Sequence, residues 1–203
     1  ITAVTAAMPD GTGLKKFSKW YPDRFYDVGI AEEHAVAFAS GIAKAGGKPV
    51  FATHSSFIQR TFDQLSQDLC INNNPATIIV CTASVFGMND VTHLGIYDIP
   101  LISNIPDMVY LAPTSKEEYF AMLDWSIEQS DHPVAVRMPC NGVISSGEKV
   151  DSDYSDLNKY KITQNGSRVA VIALGDFWQL GENTVKYISE NSEIKPTLIN
   201  PRY

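Results

Sequence analysis

The chain has 203 residues, with 16 Lys+Arg against 23 Asp+Glu and a formal charge of −7. Apolar residues at 44% and charged residues at 19% describe a folded globular protein rather than a disordered one, with length enough for a core. The acidic balance argues against nucleic acid and anionic membranes as partners, since both attract basic patches. No apolar run reaches the ~18–20 residues that span a bilayer. Three cysteines (Cys70, Cys81 and Cys140) lack Cys-x-x-Cys spacing, so neither a disulfide scaffold nor a thiolate zinc site is expected. No basic stretch followed by an apolar run opens the chain, and a cytoplasmic location is expected. Ile1 lies inside a strand-like segment without a start Met, so the chain is expected to be a piece of something longer.

In chain order, residues 1–8 read as a strand closed by the turn Pro9-Asp10-Gly11, and helical spacing follows at Leu14, Phe17 and Trp20. Residues 24–30 form the second expected strand and 31–45 a helix stopped by Gly46-Gly47. Residues 49–53 are the third strand. Ser56 with Gln59 suggests a capping box, and Ile58, Phe62, Leu65 and Leu69 a core stripe on the helix behind it. A continuous apolar strand is expected at 76–80 and further strands at 108–111 and 134–137, with Thr114-x-x-Glu117 capping a helix through Ile127. The pattern predicts an α/β fold, a doubly wound and mainly parallel sheet over residues 1–145. Residues 146–167 are polar and read as a linker. Residues 168–203 give a strand (169–174), a helix and the next strand from Thr197, the truncated start of a second α/β domain.

Ligands of open parallel sheets meet the carboxyl ends of the strands, which directs attention to the strand-to-helix junctions. At Gly29-Ile30-Ala31-Glu32-Glu33, two carboxylates open a helix whose residues 35–43 carry no charge. They either complement the helix dipole, worth ~0.3–1 kcal/mol each, or include a partly buried acid for proton chemistry. A helix apolar on all sides is buried in a core or against a partner. At His54-Ser55-Ser56-Phe57, the aromatic lies off the core stripe, placed either to stack on a flat ligand or to pack locally. Arg60 and Gln64 either share its face or are solvated. The long connection from Ser84 to Gly95, with Asn89, Asp90 and His93, is a third candidate. The four histidines are not spaced as a ligand set, and no metal site built from this chain alone is expected. Gly11-Thr12-Gly13 imitates a dinucleotide fingerprint, but Lys16 occupies the third glycine position. Asn165-Gly166-Ser167 matches a glycosylation sequon that has no meaning without export.

The stretch from Tyr26 to about Gly142 resembles the pyrimidine-binding domain of transketolase-like thiamine diphosphate enzymes, and among them most resembles the 1-deoxy-D-xylulose-5-phosphate synthases. The carrying residues are Asp27-Val28-Gly29-Ile30-Ala31-Glu32, Ser56-Phe57-Ile58-Gln59-Arg60 with Asp63-Gln64, and Gly87 with Thr92-His93-x-Gly95. They continue through Ile105-Pro106-x-Met108-Val109, Ala112-Pro113-Thr114 and Ala135-Val136-Arg137-x-Pro139. The resemblance implies that Glu32 hydrogen-bonds the cofactor's aminopyrimidine ring and so activates it, with His93 as the second catalytic residue, facing the substrate. It implies Phe57, Arg60 and Ile30 as cofactor-binding, and His54, Asn89 and Asp90 as substrate contacts. It also implies thiamine diphosphate with Mg2+ held by a diphosphate domain absent from this chain, in a homodimer or a split-enzyme heterotetramer acting on a small sugar. The expected function is thus half the site of a transferase carboligating ketol or acyl units. A non-catalytic dimerisation or regulatory module is the alternative. His54, Thr82, Asn89 and Cys140 depart from the synthase pattern, which has Tyr, Arg, Asp and Arg there, so the substrate side is expected to be altered.

Overall fold

The computed structural model describes residues 1–85 and 91–202. In chain order, β1 (Thr2–Thr5), α1 (Lys15–Trp20), β2 (Phe25–Asp27), α2 (Glu32–Lys44) and β3 (Pro49–His54) are followed by a compound helical segment. That segment runs through α3 (Ser55–Ile58), a 3-10 turn (Gln59–Thr61), α4 (Phe62–Gln64) and a π-helical turn (Leu65–Cys70). Then come β4 (Thr77–Cys81), α5 (Asp98–Ile102), β5 (Val109–Leu111), α6 (Lys116–Glu128), β6 (Val134–Arg137), β7 (Lys161–Gln164), β8 (Ala170–Ile172), α7 (Trp178–Asn191) and β9 (Thr197–Asn200). Six strands form one wholly parallel sheet in the order β2-β1-β3-β4-β6-β5. The fold is therefore the expected doubly wound α/β class. β7, β9 and β8 form a second sheet, with β7 antiparallel to β9 and β8 parallel to it.

Every residue of β4 and β6 is buried, because helices cover both faces of a parallel sheet. α2 has Glu32 and Glu33 in its first turn and Lys44 in its last, each sign at the favourable end of the dipole. It stops where Gly46, at φ +82°, lets its own N–H reach Ala43 O and that of Gly47 reach Ile42 O at 2.9 Å, a Schellman closure. The chain runs outward from β1 to β2 and returns across β1 to β3. α2 and α3 therefore start from strand ends flanking the reversal of strand order, where such sheets form a ligand crevice.

Three expectations need correction. Ser56 and Gln59 form no capping box: the helix begins at Ser55, and the Gln59 amide donates instead to Ser56 O at 2.5 Å. Ile58, Leu65 and Leu69 are fully buried, worth ~1.5–3 kcal/mol each, but Phe62 is exposed. The 3-10 and π turns shift the helical phase and carry Phe62 out of the stripe. The cap of α6 is Ser115, whose hydroxyl accepts from Glu118 N at 3.2 Å, and not Thr114. The polar stretch 146–167 carries β7 and buries Tyr154 beside Trp125. Among the described residues no helix is long and apolar enough to cross a membrane.

Candidate active site

The turn after β2 is fixed by Asp27, whose Oδ1 accepts from Ala7 N at 2.7 Å and Gly29 N at 3.0 Å. Gly29 sits at φ +74°, a conformation that suits glycine, and three residues on Glu32 begins α2. Glu32 is only 2% exposed, whereas Glu33 is exposed, so burial separates the two adjacent carboxylates. Oε1 of Glu32 accepts from Nη1 of Arg60 at 2.8 Å. Oε2 is buried with no hydrogen-bond partner among the described residues. A buried acceptor left in that state costs ~1–3 kcal/mol, more when charged.

Phe57, in the single turn α3 at the end of β3, is the centre of an aromatic group. The His54 ring stacks parallel to it at 5.8 Å, and His93 meets it edge-on at 5.3 Å. The Arg60 guanidinium lies 5.0 Å from the Phe57 centroid, a cation–π distance. Arg60 thus bridges the carboxylate and the ring. Nδ1 of His93 is 2.7 Å from the Thr92 hydroxyl, and Nε2 of His54 is 3.4 Å from Gly11 O. In α4, Gln64 Oε1 is another buried oxygen without a partner among the described residues. Chemically, the group offers a buried carboxylate oxygen, a flat apolar surface and two imidazole rings beside it.

Five of the residues singled out from sequence (Glu32, Phe57, Arg60, His54 and His93) are therefore brought together. Ile30 lies on the turn before α2 and is 79% exposed, outside the aromatic group. Asn89 and Asp90 lie outside the described residues. Among the described residues no three His, Cys, Asp or Glu side chains cluster as a metal site. Burial pushes the thiols of Cys70 and Cys81 up to about 12, which keeps them protonated and unreactive.

A buried polar cluster beside this site went unnoticed in the sequence. Asp98, the first residue of α5, is fully buried. Its Oδ1 accepts from the Ser55 hydroxyl at 2.8 Å, and its Oδ2 accepts from Nε of Arg137 at 2.7 Å and from the Tyr110 hydroxyl. Nη2 of Arg137 donates to Gly95 O at 2.9 Å. Burial, then the Asp98 charge, pushes the Tyr110 hydroxyl well above the ordinary tyrosine pKa. The available signal was Arg137 itself, a charge ending an otherwise apolar strand, which when buried demands a partner.

Two cavities lie elsewhere. One of about 460 Å³, bordered by Pro113, Pro139, Val143, Asp176 and Trp178, lies between the segments that follow β5 and β6 and the start of α7. Another of about 490 Å³ follows the outer face of α2 along His34, Phe38, Gly41 and Ile42. None of the five clustered residues lines either one.

Comparison with known proteins places the chain in a family. The chain is 42% identical over 203 residues to the 1-deoxy-D-xylulose-5-phosphate synthase of Clostridium botulinum (strain Eklund 17B), covering all of this chain and 32% of that protein. It is 40% identical over 205 residues to the synthase of that name from Halothermothrix orenii, again over 32% of its length. The chain spans about a third of these relatives. Among solved structures, a Pichia stipitis transketolase in complex with sedoheptulose-7-phosphate superposes with a TM-score of 0.82 at 17% identity, over 99% of this chain and 32% of that one. A split-gene transketolase, solved as an inactive β4 tetramer, gives 0.79 at 22% identity, over 98% and 64%. The family described as "Transketolase, pyrimidine binding domain" matches residues 1–143, and the chain belongs to that family.

Proposed function

We propose that the protein carrying this chain is a thiamine diphosphate-dependent transferase of the transketolase and 1-deoxy-D-xylulose-5-phosphate synthase type, and that this chain forms the pyrimidine side of its cofactor site. Family membership supports the class. The observation that carries the site assignment is Oε2 of Glu32, a buried acceptor without a partner among the described residues, beside the Phe57–Arg60 pair. An aminopyrimidine fits this set, because its ring nitrogen and the carboxylate can share one proton while its face lies on an aromatic ring. Bound there, thiamine diphosphate supplies a nucleophilic carbon and an electron sink.

The protein's own groups then have separate tasks. Glu32 holds a proton between Oε2 and the ring nitrogen, Arg60 keeps the carboxylate oriented, and Phe57 with the exposed Ile30 orients the ring. His93, the second catalytic residue, and His54 move protons at the substrate, with Asn89 and Asp90 as further substrate contacts. Arg137 is committed to Asp98 and Gly95, so a terminal substrate phosphate is held by other groups. Mg2+ and the diphosphate are held by a domain outside this chain, in a homodimer or split-enzyme heterotetramer. The substrate is a small sugar, sugar phosphate or 2-oxo acid of cytoplasmic carbohydrate metabolism. In this assignment residues 1–145 are the pyrimidine domain, 146–167 a connection and 168–203 the opening of the C-terminal domain.

The test is hydrogen–deuterium exchange at the thiazolium carbon of bound cofactor in the intact protein. Glu32→Gln is expected to slow exchange by ~10²–10⁴-fold, the range for losing an acid–base group, with Glu33→Gln near wild type. Unchanged exchange in Glu32→Gln would refute the assignment of Glu32, and a wild-type protein that does not speed exchange above that of free cofactor would favour the non-catalytic module.

A further inference from the structure

We infer that Asp98 and Arg137 are positioning residues that hold the His93 wall of the site against the Phe57 wall, an inference that rests on the functional reading above. One carboxylate gathers four parts of the chain. Its Oδ1 holds Ser55, which lies between His54 and Phe57 at the start of α3. Its Oδ2 holds Arg137 at the end of β6 and Tyr110 in β5, and its own backbone begins α5. Arg137 then uses a second nitrogen to grip Gly95 O, two residues beyond His93.

Gly95 makes that grip consequential. It is pressed against the end of β4, where an added Cβ would lie 2.1 Å from Thr82 O and 2.4 Å from Ser84 N. Its N–H also points to Ser84 O at 3.3 Å. The carbonyl that Arg137 holds therefore belongs to a residue with no lateral freedom, and His93 leaves this anchor to meet the edge of Phe57 at 5.3 Å. Buried ion pairs are weak stabilisers relative to apolar replacements. A fully buried one that ties both walls of one site has positioning as its evident return, since fully satisfied polar networks rigidify what they connect. The guanidinium holds Asp98 and Gly95 O at once through two nitrogens of one rigid plane. A lysine preserves the charge but has a single nitrogen.

The experiment uses the intact protein and three variants, Ser55→Ala, Tyr110→Phe and Arg137→Lys. The first readout needs no cofactor: the rate of diethyl pyrocarbonate modification at His93, followed by peptide mass spectrometry with the remote His132 as internal reference. Each variant is expected to raise the His93 rate roughly 2–10-fold, the shift in a local opening equilibrium expected from losing one buried hydrogen bond. The second readout is steady-state formation of 1-deoxy-D-xylulose 5-phosphate. kcat is expected to fall ~10-fold or more with KM little changed, because misplacement by ~1 Å can cost up to ~10²-fold. Wild-type His93 reactivity in all folded variants, or full rescue by Arg137→Lys, overturns the inference. If Arg137→Lys does not fold, Ser55→Ala and Tyr110→Phe decide. An intact protein that binds no thiamine diphosphate, yet whose His93 responds, sinks the functional reading and leaves the positioning role standing.

Discussion

At Glu32 the two carboxylate oxygens have different surroundings: Oε1 accepts from Arg60 at 2.8 Å, and Oε2 is buried without a partner among the described residues. The same guanidinium lies over Phe57 at 5.0 Å, so Arg60 holds both the acid and the ring. Its side chain is 48% exposed and that of Glu32 2%, so solvent screens one partner and the pair is worth less than a fully buried one. Arg60→Leu removes the one hydrogen-bond partner that this buried carboxylate has among the described residues and is expected to destabilise the protein by ~1–3 kcal/mol. Combined with Glu32→Gln, the loss should be smaller than the sum of the single losses, with a coupling of ~0.5 kcal/mol or more. Urea denaturation of the four proteins measures this. Strict additivity would show that the ion pair contributes nothing to the site.

The first turn of α6 shows how one element is used twice. Glu118 faces inward, accepting from the N–H and hydroxyl of Thr114 at 2.8 and 2.7 Å. Glu117 faces outward and holds residues 145 and 146 through the Ser145 hydroxyl and the Ser146 N–H, the latter at 3.0 Å. The Ser145 hydrogen bond, then that from the Ser146 backbone, lowers the Glu117 pKa to about 2. A depressed carboxylate binds its donors in the charged form. The contact is therefore complete above the ordinary glutamate range, ~4.3, and is lost as pH falls toward about 2. Hydrogen exchange at Ser146, corrected for intrinsic rate, should show protection fading across that window. Glu117→Gln should already lack it at neutral pH. Protection that rises on acidification would contradict the assignment. This turn also shows what sequence could and could not disclose. Thr114-x-x-Glu117 and Ser115-x-x-Glu118 both satisfy the capping pattern, and only the burial of Glu118 selects the second. α2 was legible because Gly46-Gly47 ends it, and β4 because a doubly covered strand is apolar throughout. β7 was not, since its residues are largely exposed and its partners in β9 lie 34 to 39 residues further along the chain. Glu32 and Phe57 were visible as strand-end residues with a family pattern. Asp98 and Arg137 lie 39 residues apart and meet only in the folded chain.

For the whole molecule, the outer face of α2 decides whether the site is completed within one chain or at an interface. His34, Phe38 and Ile42 form one row at four-residue spacing, and Ala37, Gly41 and Ala45 form the adjacent row. The first is a ridge and the second a furrow, and together they border the cavity of about 490 Å³. A two-fold axis across such a face seats each ridge in the other chain's furrow, the self-complementary arrangement of a symmetric dimer. Glu32 begins this same helix, so pairing α2 with its copy would fix the acid relative to the interface. We therefore expect the chain to dimerise through α2 and, by itself, not to bind magnesium thiamine diphosphate tightly. Gly41 provides a clean test, because a Cβ added there meets nothing within 4 Å of its own chain. Gly41→Leu should leave the fold intact and strengthen the helix by up to ~1 kcal/mol, the usual gain from replacing an interior helical glycine. It should also fill the furrow and block the partner's ridge. Sedimentation velocity of the wild type is then expected to report a dimer, and of Gly41→Leu a monomer whose thermal stability in the monomeric state is equal or higher. A Gly41→Leu protein that still sediments as the wild-type dimer would mean that another face pairs the chains, and micromolar cofactor binding by the isolated chain would mean that half a site suffices.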